Sequence, residues 1–221
     1  LTTFKVNHLF VHRCQVVNGE IKVGDYAFAQ IDSARRAQIR VHHTSAHLLQ
    51  AALIKVLGDE VKQAGSQVEE NRMRFDFTFS RAMTPQEVKK TEDIMNKWIG
   101  EKLPVNTDVM GIEEAKLTGA TALFGEKYED VVRVVSIGGK AKCNCGSDCS
   151  CDHESGEEKE VISKEFCAGT HASNTADLRL VKIVSEGAIA AGTRRIEAVV
   201  ADAALGYLNA KSAEIDKLAS R

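Results

Sequence analysis

Two pairs of side chains in this sequence have the chemistry to hold a metal ion. His43 and His47 lie four apart in Arg40-Val41-His42-His43-Thr44-Ser45-Ala46-His47. On a helix that spacing places both imidazoles on one face, convergent, as a transition metal requires of two neutral nitrogens. A pair of ordinary surface histidines fits the same spacing. Cys167 and His171, in Cys167-Ala168-Gly169-Thr170-His171, repeat the interval with a thiol and an imidazole. Taken singly, that pair reads equally as a buried free cysteine beside an exposed histidine. Jointly the four make a His/His/Cys/His set suited to Zn2+. If all four bind, the site is closed and structural; if water holds one position, the ion lowers the water's pKa to about 7 and hydrolysis becomes accessible.

A second sulfur cluster is denser. Cys143, Cys145, Cys149 and Cys151 fall within nine residues, with His153 beside them. Soft thiolates favour zinc or copper. The C-x-C spacing is tighter than the C-x2-C of structural zinc knuckles, so a second metal site and an oxidation-prone loop both remain open.

The rest of the chain must position these groups. Its 221 residues are 43% hydrophobic and 27% charged with a formal net charge of -2, enough for one substantial core or two small ones. No overall basic excess marks a nucleic-acid binder, so any polyanion contact must come from local arginines. No apolar run approaches the roughly 20 residues of a membrane span. With six cysteines so unevenly placed, metal chemistry in a reducing compartment is a better expectation than a disulfide framework. The opening Leu1-Thr2-Thr3, without Met, predicts a piece of a longer protein.

Periodicity predicts an α+β fold, with an antiparallel sheet packed against two long helices. Residues 4–31 alternate in short bursts, and Asn18-Gly19 predicts a hairpin. Val41, Leu48, Leu49, Ala52, Leu53, Val56 and Leu57 share a helical stripe that Gly58 ends. Residues 72–80, RMRFDFTFS, alternate as a half-buried strand. Thr84-Pro85-Gln86-Glu87 forms a capping box that opens a second helix, with Val88, Ile94, Met95, Trp98 and Ile99 on its inner face. Strands are expected at 105–110, 131–137, 160–166, 178–185 and 193–200, a short helix at 111–118 and a last helix at 202–219 carrying Leu208, Ile215 and Leu218. Residues 138–159 break every period and read as a loop insertion.

The strings HHTSAHLLQAAL (42–53), RFDF (74–77), ALFGEKY (122–128), EFCAGTHASNT (165–175) and AAGTRRIEAV (190–199), in this order, closely resemble the editing domain of alanyl-tRNA synthetases. That superfamily also holds free-standing AlaX-type proteins and the threonyl-tRNA synthetase editing domain. Phe124 to Tyr128 and Arg194 to Ala198 favour the alanyl branch. The resemblance divides the chain into the C-terminal part of a small β-barrel (1–35), a zinc-binding editing core (36–202) and a linker helix toward a missing C-terminal domain (203–221).

It also implies a reaction, deacylation of Ser-tRNA(Ala) and Gly-tRNA(Ala), with the tRNA acceptor end and the synthetase's remaining domains as partners. A pocket built for alanine cannot sterically refuse glycine and rejects one added hydroxyl only weakly, so a second sieve is needed. The family's zinc motif falls on His43, His47, Cys167 and His171, and whether His171 binds directly or through water stays open. Gln63 takes the position facing the substrate, where its amide can hold a water or a hydroxyl; without the resemblance it reads as a solvated helix end. Thr44 and Asp76 are further catalytic candidates. Arg194, Arg195, Arg72 and Arg74 are candidates for tRNA phosphate, or equally for surface ion pairs. A cytoplasmic or organellar location is expected. The competing readings are a complete AlaX-type trans-editing hydrolase and a non-catalytic, zinc-stabilised tRNA-binding module.

Overall fold

The computed structural model describes residues 2–7, 9–122, 128–140 and 159–220. The chain divides into two compact units, Leu1–Asp32 and Ser33–Arg221. In the first, β1 (Thr2–Val6) pairs antiparallel with β2 (Leu9–Arg13), and Asn7 takes the turn at a φ of 53°. The hairpin expected at Asn18-Gly19 does not form. Gly19 bends there at a φ of 77°, but no strand flanks it. A two-stranded ribbon needs an apolar face to hold it, and Val17 and Val23 are exposed.

The second unit begins with α1 (Ser33–Leu57). The apolar stripe predicts its start near Val41, but the helix begins eight residues earlier. Ser33 to Arg40 carries no stripe yet is rich in alanine and arginine, strong helix formers. Gly58 closes the helix in the left-handed region at a φ of 104°, its N–H donating to Ile54 C=O at 2.9 Å. α2 (Pro85–Gly100) opens on the expected capping box. Thr84 Oγ1 accepts from Glu87 N–H, and Glu87 accepts from Thr84 N–H.

The strands form two antiparallel sheets rather than one. The larger runs β3 (Gln63–Val68), β4 (Met73–Thr78), β9 (Thr193–Val200), β8 (Val181–Ala190), and the smaller runs β5 (Val105–Gly111), β6 (Val131–Gly139), β7 (Lys159–Phe166). The fold is α+β as expected, completed by α3 (Ile112–Leu117) and α4 (Ala201–Ala219). β3 has no sequence signal. Its residues QAGSQV are polar, and it is a bulged edge strand. Gln63 therefore opens a strand and is not a helix end.

α1 touches β3, β4 and β9 of the larger sheet and β7 of the smaller, so this one helix bridges both. Leu48, Leu49, Ala52 and Leu53 of α1 bury against Met73, Phe75 and Phe77 of β4 and Met95, Trp98 and Ile99 of α2. A smaller core gathers Ala115, Val132, Val134 and Phe166, with Tyr128 edge-on to Phe166 at 5.1 Å. α4 buries Ala201 and Ala204 but leaves Leu208, Ile215 and Leu218 exposed. Among the described residues, no helix is long and apolar enough to cross a membrane.

Past β7 the chain runs through residues 167–174 into a 3-10 turn, Thr175–Leu178. Thr175 locks that turn to the end of α2, accepting from Leu103 N–H and donating to Trp98 C=O, both at 2.8 Å. Thr175→Val keeps the volume but orphans both buried groups. Urea unfolding is expected to register a loss of about 1–3 kcal/mol, and an unchanged midpoint would refute this role.

Candidate metal centre

α1 presents His43 and His47 one turn apart, and the turn after β7 delivers Cys167 and His171 to the same place. The four donor atoms lie within 4.8 Å of one another. Cys167 Sγ sits 3.5 Å from His43 Nε2 and 3.3 Å from His171 Nε2. A zinc tetrahedron with Zn–S of about 2.3 Å and Zn–N of about 2.0 Å has S···N edges of about 3.5 Å, so these two spacings match a bound ion, and the wider separations among the donors would close around it. The soft thiolate and three imidazoles are also the donor types zinc selects.

Beyond the donors, each support is identifiable. His47 Nδ1 faces Glu165 Oε2 at 2.8 Å, an ion-pair distance off the hydrogen-bond direction, with both side chains buried. Ser163 Oγ donates to the other Glu165 oxygen at 2.8 Å. This is the carboxylate–histidine arrangement that orients metal-binding imidazoles. Arg40 Nε donates to the His171 carbonyl. The Arg133 guanidinium donates to the carbonyls of Ala168 and Gly169, fastening the turn from the β6 side. Gly169 lies against the His43 ring. A Cβ there would stand 2.1 Å from Cε1 and 2.5 Å from Nδ1, closer than any side chain can approach.

In the metal-free protein the charges separate. Burial alone would raise the Cys167 thiol, but hydrogen bonds from His171, His43 and His47 outweigh it and bring the pKa down to about 3. Burial would likewise lower His47, yet the Glu165 charge and the Cys167 thiolate lift it to about 10. Burial, with repulsion from His47 and His43, holds His171 down at about 4. The centre is therefore a thiolate beside an imidazolium: the sulfur is already deprotonated for a metal, while His47 must give up a proton to bind one.

The remaining candidates separate by place. Gln63 reaches the centre. With Ser66, His43, Ala46, His47, Glu165, Phe166 and Cys167 it lines a cavity of about 60 Å³, and its Nε2 donates to Ser66 Oγ at 3.1 Å. Thr44 is fully buried behind the donors, within hydrogen-bond reach of His171 Nδ1 at 3.2 Å. Asp76 lies outside the cavity lining, gripped in two hydrogen bonds by Arg195 across the β4–β9 register. Arg194 is bound the same way by Glu186, with 13% of its side chain exposed. Arg72, Arg74 and Arg195 share a polar cleft with Gln67, Glu69 and Glu197, where Arg74 Nε makes no hydrogen bond. Cys143, Cys145, Cys149, Cys151 and His153 lie outside the described residues.

His42, adjacent to the first donor, is core. Its Nδ1 donates to Gln38 C=O at 2.9 Å and its Nε2 accepts from Val200 N–H at 3.4 Å. Burial lowers its pKa, only partly offset by the Gln38 bond, which keeps it neutral. Sequence reasoning missed Glu165, Ser66, Gly169, Arg40 and Arg133. A signal existed for Glu165, since period-two alternation puts it on the same strand face as Cys167.

Residues 132–197 match the family described as the threonyl and alanyl tRNA synthetase second additional domain. Cys167 and His171 fall inside that match; His43 and His47 precede it. Over 217 residues, 98% of the chain, the sequence is 45% identical to the alanine–tRNA ligase of Synechococcus sp. (strain JA-3-3Ab) and 41% identical to that of Acaryochloris marina. It is 42% identical to the alanine–tRNA ligase of Thermosynechococcus vestitus over the same length. The chain spans 22% of each of these relatives, about a fifth of their length.

Two outcomes test the centre. Gly169→Ala is expected to push the His43 ring aside and weaken zinc binding by about tenfold or more, read by competition with a chromophoric chelator while the circular dichroism stays native. In metal-free protein, iodoacetamide is expected to alkylate Cys167 nearly as fast at pH 6 as at pH 8, read on its peptide by mass. The same peptide in unfolded protein should slow by roughly two orders of magnitude over that range. Equal slowing in both would remove the thiolate.

Proposed function

We infer, from a chain that carries the second additional domain of threonyl and alanyl tRNA synthetases, that it is the editing part of an alanine–tRNA ligase. On this reading it hydrolyses the ester of Ser-tRNA(Ala) and Gly-tRNA(Ala), in the cytoplasm or an organelle, beside the remaining domains of the same synthetase. The observation that carries the reading is the cluster of His43, His47, Cys167 and His171, three of which (His43, His47 and Cys167) line a small cavity whose other wall is Gln63 and Ser66.

His43, His47, Cys167 and His171 would hold zinc, which would supply a fixed positive charge beside the ester and, with all four donors bound, would take the substrate's amino group or a water only by expanding to five-coordinate. The chain's own groups do the rest. At about 60 Å³ the cavity is on the scale of the smallest amino acids. Because Gln63 Nε2 already donates to Ser66 Oγ, Gln63 Oε1 and the Ser66 O–H remain to meet a seryl hydroxyl or the attacking water. A site built to hydrogen-bond a hydroxyl discriminates against the analogue without one, which separates serine, though not glycine, from alanine. Water oxygen bonds to the carbonyl carbon and the bond to the ribose oxygen breaks. That oxygen takes the proton, releasing amino acid and tRNA.

Arg72, Arg74 and Arg195 contact phosphate from their shared cleft, with Asp76 holding Arg195 in place rather than touching the ester. Arg194, enclosed by Glu186, takes a structural part. Glu69 and Glu197 in the cleft and the net charge of -2 keep tRNA affinity of this piece low.

The test is deacylation of Ser-tRNA(Ala) by the purified chain and by Cys167→Ala, with metal content assayed on both. Hydrolysis by the wild type with about one zinc per chain at the centre, lost with Cys167, is the expected result. Zinc without hydrolysis would favour a zinc-stabilised tRNA-binding module, and folded, reduced protein without zinc would overturn the metal assignment.

A further inference from the structure

The Thr44 hydroxyl has one proton and two lone pairs, and its surroundings account for all three. Its O–H donates to Arg40 C=O at 3.0 Å, the back-bond a helical threonine commonly makes. One lone pair accepts Ala172 N–H at 3.0 Å. His171 Nδ1 stands 3.2 Å from the same oxygen, which, with its proton on Arg40, has an acceptor site left for it. Thr44 is 0% exposed, so no substrate can reach it.

An imidazole that binds a metal through one nitrogen must carry its proton on the other, and the partner of that second nitrogen decides which is which. Nε2 of His171 points at Cys167 Sγ, 3.3 Å away, inside the donor cluster; Nδ1 points at Thr44. We propose that Thr44 is a positioning residue that accepts the Nδ1 proton of His171 and so fixes this ring as a direct Nε2 ligand. The proposal rests on the metal-centre reading above.

The surrounding bonds make the assignment specific. Arg40 holds the His171 carbonyl with its guanidinium and occupies the Thr44 proton with its own carbonyl. Thr44 also holds the next backbone N–H, at Ala172, so the backbone that carries the ring is pinned on both sides. Valine at 44 fills the same space but offers Nδ1 no acceptor. Serine keeps the acceptor and gives up the methyl group.

Metal-free wild-type protein, Thr44→Val and Thr44→Ser are titrated with cobalt(II), recording the visible spectrum, and then with zinc in competition. Thr44→Val is expected to lose about 10- to 100-fold in affinity and to show an altered cobalt spectrum as one nitrogen is weakened. Thr44→Ser is expected to restore both. Wild-type affinity and spectrum in Thr44→Val overturn the proposal. Nitrogen-15 NMR of zinc-loaded wild type reads the tautomer without any substitution, and so decides even if Thr44→Val fails to fold. A proton on His171 Nδ1 supports the proposal, and one on Nε2 overturns it. Wild-type protein that takes up neither metal overturns the metal-centre reading and the proposal with it. That result is distinct from a wild type that binds while Thr44→Val binds equally well.

Discussion

A half-buried thiolate surrounded by three imidazoles is the constraint that the rest of the structure serves. Cys167 sits on a turn, yet its sulfur must meet two nitrogens to within a few tenths of an ångström of tetrahedral spacing. A turn held only by its own backbone would not keep that register. Here it is fastened on two sides. Arg133 reaches from β6 to the carbonyls of Ala168 and Gly169, while Arg40 and Thr44 reach from α1 to His171 and Ala172. Cys167 N–H also donates to Arg133 C=O, so one residue grips the turn with both backbone and side chain. α1 can act as the other jaw because its lower half is locked in the main core through Leu48, Leu49, Ala52 and Leu53. The geometry of the centre is inherited from the packing of one helix between two sheets.

That division explains which parts were legible in the sequence. Elements with an apolar period could be read directly: the 72–80 alternation became β4, the capping box became the start of α2, and 193–200 became β9 at the expected bounds. Elements without one could not. The first two turns of α1 and the whole of β3 are polar, the former held by helix propensity and the latter by pairing with β4. The split into two sheets was also hidden, because strand pairing is a long-range property and each strand's pattern says only which face is buried.

The donors were readable because metal ligation restricts both residue type and interval, and two i,i+4 pairs satisfy that restriction. Their supports were not, because a carbonyl grip by Arg40 or Arg133 can be made by any arginine that happens to be near. Gln63 shows the middle case. Resemblance placed it at the site, while its local pattern suggested a helix end. The bulged edge strand is what turns it toward His43 and His47. The arginines sort in the same way: all four are plausible phosphate contacts in sequence, and only cross-strand register reveals that Glu186 encloses Arg194 and that Asp76 and Arg195 are partners.

Charge accounting ties the buried acid to the centre. Glu165 is 7% exposed, and a carboxylate that deep is costly unless matched. In the metal-free protein the Cys167 thiolate and the Glu165 carboxylate share one nearby cation, the His47 imidazolium, so the cluster carries an excess negative charge. A divalent cation among the four donors would displace the proton of His47 and cancel both negative charges at once. The excess charge that is expensive without a metal is thus what would favour a dication there. Across the same cavity Gln63 and Ser66 carry no charge and bond to each other, so the charged groups are gathered on the donor side alone.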